Sequence, residues 1–167
     1  MANLFEVAPE TIQQMSQDGV FFCTQAQGKS NIMTMGWGGF NYYWRKPLFV
    51  APVRYPRFSH ELLEANGQFA LCVPTVPFSA EMKKALAFCG TKSGRDVDKW
   101  ATCQLTPQAA REIDVPVIAG SGIIVECKVV YKQDLDMDTM SDEVRAMYRQ
   151  DGTHTLYYGE IVACYKG

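Results

Sequence analysis

Val20-Phe21-Phe22-Cys23-Thr24-Gln25 and Asn31-Ile32-Met33-Thr34-Met35-Gly36-Trp37 are two β-rich segments separated by the turn residues Gln27-Gly28-Lys29. Runs of aromatic and apolar residues on both sides of a glycine turn are typical of a β-hairpin. In the second segment, alternation directs Asn31, Met33 and Met35 to one side and Ile32 and Thr34 to the other. This stretch therefore predicts a pair of antiparallel strands.

The rest of the chain also has mainly strand-like patterning. Further strands are predicted at residues 48–53, 68–73, 123–133 and 155–165, which makes about six in all. In residues 123–133, the alternation places one set of side chains on the core face: Ile123, Val125, Cys127, Val129 and Tyr131. A charge introduced at Val129 is therefore expected to unfold the protein.

Three helices are predicted between these strands. The first covers residues 59–66 and stops at Gly67, the second begins at the N-cap Ser79 and ends before Gly90, and the third covers residues 141–150. An inward stripe is expected on the third helix, formed by Val144, Met147 and Tyr148. Because helices do not regularly separate the strands, an antiparallel barrel with helical insertions is favoured over a doubly wound parallel sheet. A generic α+β domain is the alternative.

The composition favours a single domain over residues 1–167. A hydrophobic content of 47% is enough for one core, and no repeat or linker divides the chain. The formal net charge of −2, without a basic cluster, argues against a nucleic-acid partner. No segment approaches the roughly 20 apolar residues that a membrane helix needs. We expect a soluble cytoplasmic protein with neither a nucleic-acid nor a membrane partner.

The cysteines and histidines do not indicate a metal site or a disulfide scaffold. Six cysteines are widely spread and include no CxxC pair, so reduced thiols are expected. His60 and His154 have no Cys or His at ligand spacing, and we expect no bound metal. Hydrolase and P-loop motifs are missing, and Gly36-Trp37-Gly38-Gly39 lacks the third glycine of a dinucleotide fingerprint.

Two segments carry groups suited to a phosphate. Val53-Arg54-Tyr55-Pro56-Arg57-Phe58-Ser59-His60 places two guanidinium groups and a hydroxyl just before a helix, where backbone N–H groups are free. Two solvated arginines beside an ordinary helix cap explain the pattern equally well. Cys89-Gly90-Thr91-Lys92-Ser93-Gly94-Arg95-Asp96-Val97-Asp98-Lys99 offers two glycines, two hydroxyls and three cations. Taken alone, it is better interpreted as a solvated polar loop.

The segment from Asn31 to Trp37 is suited to a planar heterocycle. Its backbone amides, with Asn31 and Thr34, can hydrogen-bond the polar edge of such a ring, while methionine and tryptophan contact the faces. The alternative is that Met33 and Met35 only fill the core. Periodicity does not separate these two interpretations.

These segments, in this order, resemble the flavin-reductase-like family of FMN-binding split barrels, which includes flavoredoxin. The family pattern is similar to Asn31-Ile32-Met33-Thr34, then residues 53–59, then residues 89–99, and finally a histidine before a Gly-Glu-Ile strand at residues 154–161. The resemblance covers nearly the whole chain. It implies a mainly β fold with helical insertions, a six-stranded antiparallel Greek-key split β-barrel that holds FMN without a covalent bond.

The resemblance also implies roles for particular residues. The strand that carries Met33, Thr34, Met35, Gly36 and Trp37 would line the isoalloxazine. Arg54, Arg57 and Ser59 would hold the ribityl phosphate. Support would come from the later loop, through Cys89, Lys92, Ser93 and Lys99. We expect His60 to cap the helix or contact the phosphate, His154 to be structural, and Cys89 to be inert because no partner thiol is evident.

The activity implied by the resemblance is an FMN-dependent oxidoreductase that takes hydride from NAD(P)H and passes electrons to flavin or to another small or protein acceptor. No catalytic side chain is named, because the cofactor carries the difficult chemistry. The alternative is a flavoredoxin-type electron carrier with little direct NAD(P)H activity. A small-molecule or haem-binding barrel is disfavoured by the phosphate-competent residues. A homodimer with FMN at its interface is implied as well.

Overall fold

The computed structural model describes residues 4–75, 79–148 and 152–167, without the side chain of Phe5. The strands in these residues are β1 (Val20–Ala26), β2 (Lys29–Met35), β3 (Gly39–Tyr43), β4 (Lys46–Arg54), β5 (Gln68–Val73), β6 (Pro107–Gln108), β7 (Val117–Ile118), β8 (Ile123–Asp134) and β9 (His154–Lys166). The helices are α1 (Leu4–Gln17), α2 (Phe58–Asn66), α3 (Ala80–Thr91), α4 (Lys99–Thr102) and α5 (Asp142–Arg145), with a 3₁₀ turn at Met137–Thr139.

Seven strands form one antiparallel sheet in the order β2-β1-β5-β8-β9-β4-β3, and β6 pairs separately with β7. The six predicted strands all exist, so the mainly β antiparallel fold is confirmed. The seventh, β3, was not predicted. It is an edge strand whose last three residues are exposed, and such a strand lacks the hydrophobic alternation that reveals a half-buried one. The prediction of a single domain stays a prediction.

The predicted hairpin forms, although its second strand ends at Met35. β1 and β2 pair from Val20 opposite Met35 to Ala26 opposite Lys29. The two residues between them, Gln27 and Gly28, both have positive φ angles, of 50° and 75°. A two-residue turn of this kind matches the twist of the flanking strands. Lys29 therefore belongs to the strand and not to the turn.

Two apolar clusters lie on the two sides of the hairpin strands. Met33 and Met35 pack with Phe49 and Phe69 in the larger cluster, which α1 and α2 also join. Ile32 packs with Leu86 of α3 in the other. The predicted alternation along β2 is therefore confirmed. Because both faces are covered, β1 and β5 are buried almost throughout.

The predicted core face of β8 is only partly right. The strand is buried on both faces from Ile123 to Cys127, but its second half is mostly exposed. Val129 is partly buried at the margin of the larger cluster, and Tyr131 is 46% exposed. Register shifts in the pairing with β9 interrupt the alternation after Glu126 and after Val129, as β-bulges do. The second half of β8 therefore extends beyond the core.

Helix predictions based on caps fared better than those based on periodicity. α2 ends at Gly67, which is left-handed with φ 66°, and Ser79 caps α3 by accepting from the Met82 N–H. α3, however, continues through Gly90 to Thr91. The third predicted helix is only the four residues of α5, with Val144 and Met147 exposed and residues 149–151 outside the described part.

Helix α1 was missed, although its sequence carries a helical signal. Val7, Thr11 and Met15, spaced four residues apart, are all buried, as the inward face of an amphipathic helix should be. Pro9 lies inside this helix, and it weakens the sequence signal. None of the helices in the described ranges is long and apolar enough to cross a membrane.

A buried carboxylate on β8 holds part of the segment between α4 and β8. Glu126 is fully buried, and its two oxygens accept from the backbone N–H groups of Arg111 and Glu112, each at 2.8 Å. The Tyr165 hydroxyl donates to the same carboxylate at 2.6 Å. Residues 111–112 are thereby held against the sheet.

Candidate functional site

Two clefts adjoin where β2, β4 and the loop after α3 meet. The first, the cationic cleft, has a volume of about 300 Å³ and is lined by Asn31, Met33, Arg54, Pro56, Arg57, Thr91, Lys92, Ser93 and Lys99. The second, the aromatic cleft, has a volume of about 230 Å³ and is lined by Met33, Thr34, Met35, Gly36, Trp37, Pro52, Arg54, Arg57 and His154. Both are lined by Met33, Arg54 and Arg57, so the clefts lie side by side.

The charges around the two clefts are of one sign. Arg54, Arg57, Lys92 and Lys99 line the cationic cleft, and no carboxylate is found among the lining residues that the structure describes for either cleft. A larger neighbouring cleft of about 630 Å³ mixes cations with Glu61 and other carboxylates. The cationic cleft is thus the one suited to an anion.

The two arginines are placed by the chain turn between β4 and α2. Arg54 is the last residue of β4, and its carbonyl accepts from the Arg57 N–H at 3.1 Å just before the helix begins. The Arg54 side chain donates to the Met147 carbonyl, and that of Arg57 donates to the Gly90 carbonyl, each at 3.4 Å. The segment just before the helix therefore brings both guanidinium groups to the cationic cleft.

Ser59 lies behind the cleft and does not line it. Its side chain is fully buried, and its hydroxyl oxygen accepts from the Asn31 amide at 2.9 Å and from the Thr24 hydroxyl at 3.2 Å. Ser59 therefore holds Asn31 in position where Asn31 lines the cationic cleft and the larger neighbouring cleft. The hydrogen bonds of these three polar residues tie α2 to the hairpin.

The loop after α3 is tied to β2 by a buried lysine. Lys99 is 4% exposed, and its ammonium donates to the Ile32 carbonyl at 2.7 Å and to the Cys89 carbonyl at 3.0 Å. Burial lowers the pKa of this ammonium below its ordinary value. Lys92 and Ser93 lie in the same loop and line the cationic cleft.

Gly94 lets this loop approach β2 closely. A Cβ added to Gly94 would collide with the side-chain amide of Asn31. The Oδ1 atom of Asn31 is buried and has no hydrogen-bond partner among the described residues. The lack of a side chain at Gly94 is therefore what allows the loop and Asn31 to meet below the clefts.

His60 and Cys89 do not line either cleft. The Nε2 atom of His60 lies 3.0 Å from the Thr155 hydroxyl, and burial lowers the pKa of the imidazole. Cys89 is buried, and burial raises the pKa of its thiol to about 12. Its sulfur lies 4.0 Å from that of Cys103, so a partner thiol exists that the sequence did not reveal.

In the aromatic cleft, methionine and tryptophan line the walls beside Thr34. The Thr34 hydroxyl donates to the Leu86 carbonyl at 2.5 Å, so its proton is already engaged with α3. Trp37 is 46% exposed, and its ring lies 5.3 Å from that of His154. A flat apolar group entering this cleft would meet the Trp37 ring and the side chains of Met33 and Met35.

His154 lines the aromatic cleft, although a structural role was expected for it from the sequence. It lies opposite Arg54 in the pairing of β4 with β9, and its Nδ1 atom lies 3.1 Å from the Tyr148 hydroxyl. Burial, with Arg54 and Arg57 nearby, lowers the pKa of this imidazole to about 4. Its position five residues before Gly159-Glu160-Ile161 was the available signal. Pro52, Pro56 and Thr91 complete the lining.

The adjoining clefts fit the chemistry of FMN, the cofactor that the resemblance implies. FMN combines a phosphate anion with a flat, largely apolar ring system. The cationic cleft offers four cations with no carboxylate among its described lining residues, and the aromatic cleft beside it offers soft and aromatic side chains. No group of three metal-binding side chains is present within the described ranges.

Comparison with curated proteins finds a relative of unassigned function. This chain is 29% identical over 134 residues to an uncharacterized protein of Archaeoglobus fulgidus, covering 80% of this chain and 64% of the relative. The chain thus spans a little less than two thirds of that protein's length.

Solved structures share the fold at low identity. Flavoredoxin of Desulfovibrio vulgaris superposes with a TM-score of 0.69 at 20% identity, covering 89% of this chain and 69% of that one. A protein from Shewanella frigidimarina, described as a flavin reductase with a split barrel domain, superposes with a TM-score of 0.68 at 18% identity, covering 93% of this chain and 71% of that one. An NADH:FAD oxidoreductase of Streptomyces globisporus superposes with a TM-score of 0.64 at 21% identity, covering 89% of this chain and 75% of that one. The antiparallel sheet is thus that of a split barrel.

A match to a protein family covers both the sheet and the two clefts. Residues 13–167 match the family described as flavin reductase like domain. The match includes all the residues that line the cationic and aromatic clefts. The chain therefore belongs to the flavin reductase like family, a family of flavin-binding redox proteins.

Proposed function

We propose that this chain is an FMN-dependent oxidoreductase that accepts hydride from NAD(P)H and passes electrons to flavin or to another small or protein acceptor. One observation carries the proposal. A cleft with four cations adjoins a cleft lined by methionine, tryptophan and a neutral histidine, and Met33, Arg54 and Arg57 line both. Such a pair of clefts suits a flat ring joined to a phosphate by a short polar chain.

In this proposal, Arg54 and Arg57 bind the FMN phosphate at the N-terminus of α2, and Lys92 and Ser93 line the same cleft. Guanidinium groups form charge-assisted, often bidentate, hydrogen bonds to phosphate oxygens. Lys99 and Ser59 hold the walls in place, through Ile32 and Asn31 respectively. When bound, FMN would supply the two-electron chemistry itself.

The aromatic cleft would orient the ring system and keep water from part of it. His154 is uncharged at neutral pH, because its pKa is lowered to about 4. It therefore adds hydrogen-bonding capacity to the cleft without adding a positive charge. The Tyr148 hydroxyl, 3.1 Å from Nδ1, holds the imidazole in its orientation. No side chain in the cleft needs to take a proton for hydride transfer.

We further propose a homodimer with FMN at its interface. Support comes from an exposed cluster of rings around the β3–β4 hairpin, formed by Tyr43, Trp44, Tyr131 and Tyr158, whose ring centroids lie 5.2–6.5 Å apart. Trp44 is 59% exposed and Tyr131 46%. Contiguous exposed aromatic surface is characteristic of protein interfaces. Light scattering after size-exclusion chromatography should give twice the mass of 18.7 kDa.

The cytoplasm is the location we propose for this protein. All six cysteines are unpaired in the structure. Thiols persist in the reduced state in a reducing compartment. Fractionation of the native cells, with antibody detection, tests this assignment.

The decisive experiment is spectroscopic. The purified protein is supplemented with FMN, freed of excess flavin, and mixed anaerobically with NADH or NADPH. Bound flavin whose visible bands bleach at a catalytic rate supports the reductase. Bound flavin that stays oxidised with both nucleotides, but is reduced by dithionite, contradicts direct hydride transfer and leaves the electron carrier. Failure to bind FMN overturns the proposal as a whole.

A further inference from the structure

We propose that Cys89 and Cys103 are a redox site, in which a peroxide joins the two thiols as a reversible disulfide that holds the cofactor loop, residues 90–102, in its folded position. Cys89 lies in the last turns of α3, and Cys103 directly follows α4. Their sulfur atoms are 4.0 Å apart. The two thiols are therefore in contact.

Access to solvent separates this pair from the other close pair of thiols. Cys103 is partly exposed and lines a groove of about 440 Å³ between α3 and residues 102–105. Cys23 and Cys72 lie 3.9 Å apart, but both are fully buried in neighbouring strands. A peroxide can reach Cys103 but not the second pair. The sulfur of Cys103 is therefore the atom that reacts first.

The chemistry balances with one peroxide molecule. The Cys103 thiolate attacks a peroxide oxygen, so that an S–O bond forms, the O–O bond breaks, and hydroxide leaves as water after taking a proton. The Cys89 sulfur then attacks the Cys103 sulfur, the S–S bond forms, and water leaves with the Cys89 proton. Two thiols are oxidised by two electrons, and hydrogen peroxide is reduced to two water molecules. A dithiol reverses the reaction.

The bond would act on the cofactor loop through Lys99. The Cys103 N–H donates to the Lys99 carbonyl at 3.1 Å, and the Lys99 ammonium donates to the Cys89 carbonyl at 3.0 Å. Both cysteines are thus hydrogen-bonded to the residue that ties the loop to β2. A covalent link between the two ends of the loop reduces the number of open conformations available to it. Oxidation should therefore slow the opening of residues 90–102.

Peptide mapping gives a direct test, because trypsin separates the two cysteines. Cleavage after Lys84, Lys92, Lys99 and Arg111 releases residues 85–92 and 100–111, each with one cysteine. The isolated protein, as purified, is treated with hydrogen peroxide, blocked with an alkylating agent and digested without reductant. We expect these two peptides to be joined, and to separate after dithiothreitol. Cys103 found as sulfinic acid, or joined to another cysteine, would overturn the proposal.

Two variants provide matched controls. Cys103→Ala should abolish the joined peptides, while Cys23→Ala, which removes one thiol of the buried pair, should leave them unchanged. Because Cys103 is partly exposed, its alanine variant is expected to fold. Loss of the joined peptides in Cys23→Ala, or their persistence in Cys103→Ala, would contradict the assignment.

The effect on the loop is measured separately from flavin chemistry. Brief trypsin treatment of the folded protein should cleave after Arg95, a half-exposed residue of the loop. We expect oxidation to slow this cleavage several-fold in the original chain and not at all in Cys103→Ala, with or without FMN. An unchanged cleavage rate in a chain whose peptides are joined would overturn the effect on the loop. Neither readout depends on FMN binding, so failure of the proposed function would be seen independently.

Discussion

Lys99 and Ile32 are joined by a hydrogen bond of 2.7 Å from the ammonium to the backbone carbonyl, which ties the loop after α3 to strand β2. The two residues are 67 positions apart in the chain. This contact brings the loop that carries Lys92 and Ser93 beside the strand that carries Met33. Both clefts of the candidate site depend on that proximity.

Replacing Lys99 with methionine should therefore destabilise the protein even without a cofactor. The variant keeps the length of the side chain but leaves the Ile32 and Cys89 carbonyls without their buried donor, at a cost of about 1–3 kcal/mol. Urea unfolding of the flavin-free protein measures the loss. Lys84→Met, at an exposed position of α3, is the control. Equal stabilities for the two variants would contradict the anchoring role of Lys99.

Gly94→Ala should be harmful because of the contact with Asn31. The added methyl group would collide with the Asn31 amide, and overpacking of this kind costs about 1–3 kcal/mol. Gly39→Ala, where an added Cβ meets nothing within 4 Å, should be tolerated. The thermal unfolding midpoints of the two variants measure the difference in stability.

A double mutant distinguishes a local clash from a general effect on the loop. If the clash is the cause, Asn31→Ala combined with Gly94→Ala should be less destabilised than the sum of the two single variants. If the stability losses of the two single variants add up in the double variant, the clash with Asn31 is excluded as the cause.

Arg57→Ala should weaken FMN binding under the proposed function. Loss of a charge-assisted hydrogen bond of about 1.5–3 kcal/mol corresponds to a roughly ten- to hundred-fold higher dissociation constant. Fluorescence titration with FMN measures the change. Arg111→Ala removes the same charge from a residue that stacks on Tyr165 and lines neither cleft. Similar affinities for the two variants would contradict the phosphate assignment.

His154 should make folding stability depend on pH below neutrality. Its folded pKa of about 4 lies below the ordinary value of 6.5, so the unfolded chain binds the proton more readily than the folded protein does. The stability that this contributes is complete above pH 6.5, and it is lost as the pH falls towards 4. The full effect is at most about 3 kcal/mol.

The comparison with His154→Gln isolates this contribution, because the glutamine side chain does not titrate. Urea midpoints measured between neutral pH and pH 4 should fall more steeply in the original chain than in the variant. His60, whose pKa is also lowered, is present in both proteins and cancels in the difference. Parallel curves would show that His154 does not carry the shift.

The two halves of β8 should respond differently to a buried charge. Val125→Asp places a carboxylate in the fully buried half and should prevent folding, whereas Val129→Asp lies at the margin of the core and should yield a folded, less stable protein. Circular dichroism of the purified variants checks this. The prediction that Val129→Asp folds revises the expectation from the sequence, which placed Val129 on the core face. Unfolding of Val129→Asp would restore that expectation.

Local sequence patterns predicted most of the secondary structure. The alternation of residues 31–35, a turn that includes Gln27 and Gly28, and the helix end at Gly67 are set by neighbouring residues, and the structure contains them. Of the predicted turn, only Lys29 belongs to a strand instead. Periodicity failed where a strand lacks a buried face, as in β3, or extends beyond the core, as in β8. In both cases the exposure of the strand is set by what packs against it and not by its own sequence.

The sequence by itself determined the antiparallel hairpin, the presence of Arg54, Arg57 and Lys92 at chain turns, and the family. Only the tertiary structure decided which of the candidate residues meet. It placed Ser59 behind the cleft, brought His154 beside Arg54 and put Cys103 against Cys89. Strand pairing and helix packing bring together residues that are far apart in the chain. A local sequence pattern does not predict which distant residues will come into contact.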